Sequence, residues 1–306
     1  MVSLSPRAHS LSRRPEMSGG TAALASLLTV FWALAFVVQT WGLGAAGPLW
    51  LALGRAGFAV VPFLVLPFVV RAVVTGSWEM HRLALALGAT NVAAFLPLQL
   101  AGLDRVGAGV GAAIIYTQPV LVLLGAYWAF GEPLSPRRVV GSLSAFAGVV
   151  VISVREAAFG SLVGVLFLLG AVLAWAAGTL FLKEASRRDL LPLLALQNLY
   201  GFALLLPFVV AFEDPPPLSS TYVLTILYSG VVASALGWLI LAVLMRRREV
   251  GVVSSFIFVV PALTALLGIV FLDEAFTWPF FVGLLLVILG IRLVVTTERS
   301  RLNRLV

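Results

Sequence analysis

The sequence predicts an all-α integral membrane protein, in which ten transmembrane helices form two inverted five-helix repeats and both termini are cytoplasmic. Three observations predict this fold class: the composition, ten apolar runs and an internal repeat. The 306-residue chain is 61% hydrophobic and 11% charged, with a mean hydropathy of +1.09. This is too apolar for one or two soluble domains of that length. With no cysteine, and with both histidines in polar links, we expect no metal site and no cofactor.

Ten apolar runs have the length of a membrane span, about 20 residues for a hydrocarbon core of about 30 Å. They follow a polar segment, residues 1–20, that we expect to be disordered. In order, the predicted spans cover 21–41, 48–70, 83–102, 107–130, 137–154, 160–182, 190–212, 221–245, 250–272 and 278–297.

The chain contains a duplicated segment. Residues 105–150 align with residues 247–292 at a constant offset of 142 and without a gap. In each copy, two glycines seven residues apart lie on one helix face, where a neighbouring helix can approach closely. The matched pairs are Gly109 with Gly251, Pro119 with Pro261, Glu132 with Glu274, Gly141 with Gly283, and Gly148 with Gly290.

Positive charges predict the topology, because cytoplasmic links carry the excess of Lys and Arg. Of the 20 Lys and Arg residues, only Arg105 and Arg155 fall in outer links when the N-terminus is cytoplasmic, and Arg55 falls inside a span. The chain then divides into five-span halves, 21–155 and 160–297, and a cytoplasmic tail, 298–306. An odd number of spans inverts the second half, an arrangement typical of alternating-access transporters.

These features resemble the drug/metabolite transporter superfamily, in its EamA-type branch. Each half has a Trp in its first span, Trp32 or Trp175, and each ends in a similar pattern of Pro, Glu and two glycines. The resemblance implies a carrier of small metabolites such as amino acids, nucleosides, nucleotide sugars or organic cations, often an exporter. It also implies that spans 1, 3, 4, 6, 8 and 9 line the binding site, with spans 5 and 10 at the periphery.

Arg55 is the one charge that falls well inside a predicted span, about eight residues from its start. A charge in the hydrocarbon is costly and commonly serves a partner or a substrate, so Arg55 is a candidate for binding a carboxylate or phosphate. Alternatively, Arg55 reaches the outer headgroups or caps carbonyls of neighbouring helices. In the second half, Asn198 falls opposite Arg55 at an offset of 143.

Two prolines at mid-span, Pro119 and Pro261, predict kinks or gating elements beside a central cavity. Tyr116 and Gln118 would then offer hydrogen bonds at substrate depth. The alternative is that both prolines only bend helices for packing.

Other polar and aromatic residues within spans are also candidates for the cavity. Amides are costly to leave in lipid, whereas single serines are more often packing contacts. Tryptophans within spans would offer flat walls to a substrate or would simply pack in the core. These further candidates are Trp32, Gln39, Asn91, Gln99, Trp175, Trp238, Ser254 and Ser255.

The repeated glutamates Glu132 and Glu274 fall at span ends. We expect structural roles for them, as solvated helix-end groups or in hydrogen bonds between helices. No Asp or Glu falls at mid-membrane in the predicted spans, which disfavours exchange of protons against organic cations through a buried carboxylate.

The sequence thus predicts an alternating-access secondary transporter in the cytoplasmic membrane. The favoured cargo is an amino acid or a related anionic or zwitterionic metabolite, with export as the direction.

The expected partners are this small molecule and the lipid bilayer. Nucleic acid is not expected because the arginines lie in short link clusters. A homodimer is left open. The alternatives are an exporter of drugs or organic cations, a membrane scaffold without transport, and a membrane enzyme, for which no catalytic motif is found.

Overall fold

The computed structural model describes residues 19–130, 135–158, 162–182, 190–246, 259–275 and 278–302. Within these residues every regular element is a helix, which confirms the predicted all-α class. Glu132, Ser254, Ser255 and residues 1–18 of the N-terminal segment lie outside the described residues.

The helices follow the order of the predicted spans. The first half contains α1 (Gly19–Leu43), α2 (Pro48–Leu64), α3 (Pro67–Val74), α4 (Trp78–Leu87), the first π segment (Gly88–Ala94), α5 (Phe95–Val106), α6 (Ala108–Ile115), α7 (Gln118–Phe130) and α8 (Pro136–Ala158). The second half contains α9 (Leu162–Leu182), α10 (Leu190–Phe212), α11 (Ser220–Leu227), the second π segment (Tyr228–Leu236), α12 (Gly237–Arg246), α13 (Val259–Leu272) and α14 (Trp278–Leu302).

The apolar helices make this a multi-pass membrane protein. Within the described residues, six helices are long and apolar enough to span a membrane, and the bent pair α2 and α3 would make a seventh. Three shorter apolar helices cover Val139–Val151, Val259–Leu272 and Trp278–Gly290. Each of these segments coincides with a predicted span, although the number of ten crossings and the side of the termini stay predictions. The last helix, α14, runs beyond the predicted span end at residue 297 to Leu302.

One predicted span is sharply bent. The run predicted at 48–70 consists of α2 and α3, which meet at an angle of 110°. Pro67 has no N–H to donate to the carbonyl of Phe63, and a proline disfavours helical geometry in the residue before it. Leu66 accordingly has extended backbone angles, with φ −100° and ψ 101°, and Pro67 begins a new helix. The predicted span 48–70 is therefore bent at Leu66, and whether its two helices form one crossing stays a prediction.

The two π segments occupy equivalent places in the repeats. Gly88 is the first residue of the first π segment, and Gly230, which aligns with it at an offset of 142, lies within the second. A Cβ on Gly88 would lie 2.7 Å from the carbonyl oxygen of Gln197 in α10. A Cβ on Gly230 would lie 2.8 Å from the carbonyl oxygen of Arg55 in α2. Only glycine allows this approach, so each π segment crosses a helix of the other repeat backbone to backbone.

The peripheral helices α8 and α14 also meet through glycines. A Cβ on Gly148 would lie 2.8 Å from the amide nitrogen of Val287, and Gly148 faces the carbonyl of Gly283. Gly290 faces the carbonyl of Gly141 in the same close manner. A glycine of α8 therefore packs against the backbone of α14, and a glycine of α14 packs against the backbone of α8 in the same way.

Glu274 joins the two repeats at one end of the bundle. Its carboxylate accepts hydrogen bonds from the backbone N–H groups of Ala108 and Gly109, the latter at 3.1 Å, at the start of α6. The residue before this helix is Gly107, with φ +83°, and it has no side chain with which to cap the helix. Burial raises the pKa of the Glu274 carboxyl, and these backbone hydrogen bonds lower it in part. Glu274 is thus a hydrogen-bonding group between helices.

Glu213 makes a second connection of the same kind. It follows α10 and accepts hydrogen bonds from the N–H groups of Leu49 and Trp50, at 3.1 and 3.2 Å, at the start of α2. Here too the residue before the helix is a glycine, Gly47, without a capping side chain. Because the chain alternates direction, both contacts lie at the end predicted to face outside. We call Glu213 and Glu274 the repeat-spanning caps.

Candidate functional site

A cavity lies between the two repeats, in the middle of the bundle. Both halves contribute to its wall, and the two π segments each provide part of it. The lining residues are Trp32, Ala35, Phe36, Gln39, Arg55, Asn91, Val92, Phe95, Leu96, Gln99, Ile115, Tyr116, Trp175, Gln197, Asn198, Ala233, Ser234 and Trp238.

Arg55 reaches across the cavity wall to two neutral partners. Its Nε donates a hydrogen bond to Oγ of Ser234 at 3.0 Å, and its Nη1 donates to Oε1 of Gln99 at 3.3 Å. No Asp or Glu belongs to the lining, and among the described residues none forms an ion pair with Arg55. The guanidinium therefore adds a positive charge to the cavity without a counter-charge from the described residues.

Gln39 is the most buried amide of the wall, with 2% of its surface exposed. Its Oε1 has no hydrogen-bond partner among the described residues. A buried acceptor without a partner loses its hydration without compensation, which costs about 1–3 kcal/mol. Most such groups in native proteins are paired, so this one calls for an explanation.

Asn91 and its neighbours form a second polar patch. Nδ2 of Asn91 donates a long hydrogen bond of 3.5 Å to Oε1 of Gln197. The adjacent Asn198 turns its own Nδ2 back to the carbonyl of Leu194 at 2.8 Å. This patch is therefore partly satisfied by the protein itself.

Aromatic rings form much of the remaining wall. Trp32 and Trp238 meet edge to face at 6.2 Å, and Nε1 of Trp32 donates to the carbonyl of Ala233 at 3.0 Å, which fixes the ring. On another side, Tyr116 and Trp175 meet edge to face at 6.1 Å. Edge-to-face pairs of this kind contribute about 0.5–1.5 kcal/mol each beyond the area that they bury, so the aromatic wall is stabilised by contacts within the protein.

Most of the residues selected from the sequence meet at this cavity. Eight of them belong to the lining, though their role in binding stays a prediction: Trp32, Gln39, Arg55, Asn91, Gln99, Tyr116, Trp175 and Trp238. Arg55 lies in the cavity wall, where it donates hydrogen bonds to the side chains of Ser234 and Gln99. Ser254 and Ser255 lie outside the described residues.

Gln118 is the exception. Its Nε2 donates to Oγ1 of Thr179 at 2.7 Å, and the residue does not belong to the lining. The helix is interrupted at Tyr116 and Thr117, and Pro119 is the second residue of the new helix α7. The interruption changes which side of the chain faces the cavity, so that Tyr116 faces it and Gln118 contacts α9.

Pro261 lies in the first turn of α13 and is buried, but it does not belong to the lining. The described part of span 9 contributes no lining residue, whereas spans 2 and 7 do, through Arg55, Gln197 and Asn198. Spans 2 and 7 are thus added to the lining that the resemblance implies, and the lining role of span 9 stays a prediction. Spans 2 and 7 reach the centre because each π segment crosses α2 or α10 closely.

Ser234 was not selected as a site residue from the sequence, although it pairs with Arg55. A usable signal was present, because Ser234 aligns with Asn91 at the same offset of 143 that relates Asn198 to Arg55. Pairing the two repeats position by position would have selected Ser234 and Asn198 together.

Comparison with known proteins agrees with this architecture. The sequence profile of the EamA-like transporter family matches residues 20–154 and 162–296. The uncharacterized transporter YvbV of Bacillus subtilis (strain 168) is 31% identical over 289 residues, which are 92% of this chain and 93% of that protein. A probable amino-acid metabolite efflux pump of Escherichia coli (strain K12) is 28% identical over 292 residues, covering 90% of this chain and 94% of that protein.

The fold is also found in a solved crystal structure, which has 20% sequence identity and a TM-score of 0.65. The match covers 93% of this chain and 99% of that chain, and it shows a common fold. The two profile matches cover both halves of the sequence, as the resemblance predicted. The chain therefore belongs to the EamA-like transporter family.

Proposed function

We propose that this chain is a secondary transporter that exports an amino acid, or a related anionic or zwitterionic metabolite, across the cytoplasmic membrane by alternating access. The observation that carries the proposal is the Arg55 guanidinium, which lines the cavity and has only neutral partners, Ser234 and Gln99, among the described residues. Inverted repeats with a site between them are the usual architecture for such exchange of access.

The chemistry of Arg55 favours an anionic group on the cargo. A charged side chain at membrane depth costs about 2.5–3.5 kcal/mol on insertion scales. A guanidinium has five N–H donors, and the described residues occupy two of them. A carboxylate can accept two parallel hydrogen bonds from the remaining donors. Binding it would supply both the missing acceptors and the missing counter-charge.

The direction of transport and the cargo class also draw on a relative. The Escherichia coli protein is described as a probable amino-acid metabolite efflux pump, and we propose the same direction and cargo class here. The proposal assigns no catalysis to the cavity, whose described lining holds no Asp, Glu, His or Lys to act as acid or base.

A second candidate function is export of organic cations, and the aromatic wall favours it. The faces of rings such as Trp32, Trp238 and Trp175 can attract a cation. The positive charge of Arg55 in the same cavity opposes it, because no carboxylate of the described lining offsets that charge.

Counterflow into proteoliposomes separates these functions. Vesicles loaded with the 20 standard L-amino acids should take up radiolabelled amino acids from the medium, and Arg55→Gln should abolish this uptake. Arg105→Gln is the matched control, because Arg105 lies outside the cavity lining and is 41% exposed. Uptake of tetraphenylphosphonium or ethidium without uptake of any amino acid would show that the proposal is wrong.

A further inference from the structure

We propose that Gln39 binds the α-ammonium group of the cargo, so that the cavity selects zwitterionic amino acids over carboxylates of the same shape that lack the amino group. The inference rests on the proposed function, in which Arg55 binds the carboxylate of the cargo. The inference adds a residue that binds the second charged group of the cargo, its ammonium.

The first argument is the unsatisfied amide of Gln39. The side chain lines the cavity, is 2% exposed, and its Oε1 has no hydrogen-bond partner among the described residues. An ammonium group carries three N–H donors and no acceptor. Its charge-assisted hydrogen bond to an amide oxygen would satisfy this atom, and it would do so without adding a carboxylate to the membrane interior.

The second argument is the depth of Gln39 relative to Arg55. A Cβ on Gly42 would lie 2.5 Å from Cγ2 of Thr225, and a Cβ on Gly54 would lie 2.6 Å from Cγ2 of Ile226. Thr225 and Ile226 are consecutive, so Gly42 in α1 and Gly54 in α2 lie at nearly the same level.

From that common level both side chains lie deeper in the bundle. Gln39 precedes Gly42 by three residues and Arg55 follows Gly54 by one, and the two helices run in opposite directions through a short link. At a rise of 1.5 Å per residue, Gln39 is about 4.5 Å and Arg55 about 1.5 Å below the two glycines. The Cα atoms of Gln39 and Arg55 thus differ by about 3 Å in depth, so the two side chains start from nearly the same level of the bundle.

The third argument comes from the other buried side-chain atoms that lack a partner. Among the described residues these are Oδ1 of Asn91, Oγ of Ser142 and Oγ of Ser229. Neither serine belongs to the cavity lining. Oδ1 of Asn91 packs against Gly178, and its Nδ2 already donates to Gln197.

Asn91 also lies at the wrong depth for the head group. It is eight residues from Gln99, the partner of Arg55, or about two helical turns and about 12 Å along the helix. Within the described part of the chain, Gln39 is therefore the lining residue that has an unsatisfied acceptor near the level of Arg55.

The test compares each of the 20 standard L-amino acids with its des-amino analogue, for example leucine with 4-methylpentanoate. Affinities follow from the rise in the unfolding temperature of the detergent-solubilised full chain, because ligands that bind only the folded state stabilise it. We expect the unmodified protein to bind its amino acids about 10- to 100-fold more tightly than the analogues, as a charge-assisted hydrogen bond predicts.

The variant Gln39→Leu should bring this ratio close to one while leaving the affinity for the des-amino analogue unchanged. Its unfolding temperature without ligand should stay close to that of the unmodified protein, because the change removes a buried acceptor, Oε1, that has no partner among the described residues. The matched control is Gln118→Leu. It removes a buried amide outside the cavity, whose partner Thr179 keeps its own hydrogen bond to the carbonyl of Trp175. This control should keep the full ratio.

Three outcomes would overturn the inference and leave the proposed function intact. They are equal binding of amino acids and analogues by the unmodified protein, an unchanged ratio in Gln39→Leu, or an equal loss of both ligands in that variant. If neither class binds the unmodified protein, the proposed function fails together with the inference. If Gln39→Leu does not fold, Gln39→Asn, which withdraws the amide by one methylene group, must show the same loss of ratio.

Discussion

The cavity and the repeat-spanning caps differ in how far the protein compensates their charged side chains. In the cavity, the guanidinium of Arg55 has neutral partners in Ser234 and Gln99, and the described residues accept hydrogen bonds from only two of its five N–H groups. At the predicted outer end, the carboxylates of Glu213 and Glu274 each accept two backbone hydrogen bonds at the start of a helix.

This difference separates structural charges from charges available to a ligand. A helix N-terminus presents unpaired N–H groups and a partial positive charge, so a carboxylate there satisfies the fold and is satisfied by it. Arg55 receives no such compensation from the described protein. A cargo of opposite charge can bind to a charge that the protein compensates only in part. We therefore expect mutation of Arg55 to weaken binding and mutation of the caps to lower stability.

Arg55→Lys should have the largest effect, and it acts on binding rather than on folding. Lysine keeps the positive charge but cannot donate to Ser234, Gln99 and a carboxylate in the planar geometry of a guanidinium. We expect the affinity for the transported amino acid to fall by about 2–5 kcal/mol, the range for truncating a buried charged partner. Calorimetric titration of the purified protein measures it. An unchanged affinity would remove Arg55 from the binding site.

Glu213→Gln should affect stability instead. The neutral side chain gives a weaker cap to Leu49 and Trp50, at a cost of about 1–3 kcal/mol in the free energy of unfolding. Denaturation in detergent measures this cost, with amino-acid affinity as the second readout, which should not change. The control is Asp214→Asn, an exposed neighbour that should have little effect on either quantity. Equal stability of both variants would contradict the assignment of Glu213 as a cap.

Glu274→Gln should have the smallest effect, about 0.5–2 kcal/mol, the range for losing a helix cap. The reason is that burial already disfavours its charge and raises the pKa of the carboxyl above the ordinary value of 4.5. The folded state then holds this proton more tightly than the unfolded state does. The contribution of Glu274 to the free energy of unfolding therefore rises as the pH falls through the raised pKa, and it is complete below 4.5.

The pH dependence of the difference between the unmodified protein and Glu274→Gln checks this sign. The stability of the unmodified protein relative to the variant should increase as the pH falls toward 4.5. A relative stability that decreases over that interval would indicate a carboxyl whose pKa is lowered by its helix contact.

The sequence indicated which polar residues fall within the helices, but not in every case which of them face the cavity. Arg55 and Gln99 fall within predicted spans, and both line the cavity. Gln118 was placed at a similar depth, yet its side chain contacts Thr179, because the interruption at Tyr116 turns the chain. Which side of a helix faces the cavity depends on packing between repeats, which a single sequence does not display.

The caps illustrate the same limit. Helix N-termini are commonly capped by the side chain of the residue that precedes the helix, as Ser77 caps α4 and Ser219 caps α11. Before α2 and α6 the sequence offers only Gly47 and Gly107, and the cap comes from the other repeat. By contrast, the bend at Pro67 is indicated by the local sequence, because a proline in the middle of an apolar run interrupts the helix.

The two glycine crossings have a mechanical consequence. Gly88 against α10 and Gly230 against α2 are contacts of backbone with backbone, and both flank the cavity. Two fixed points define an axis, and a rocking motion about that axis leaves the points themselves almost unmoved. Displacement grows with distance from the axis, so the same small rotation would move the cap at Glu213 far more than the crossing at Gly230. Under the proposed alternating access, we therefore expect the two crossings to move less between states than the repeat-spanning caps do.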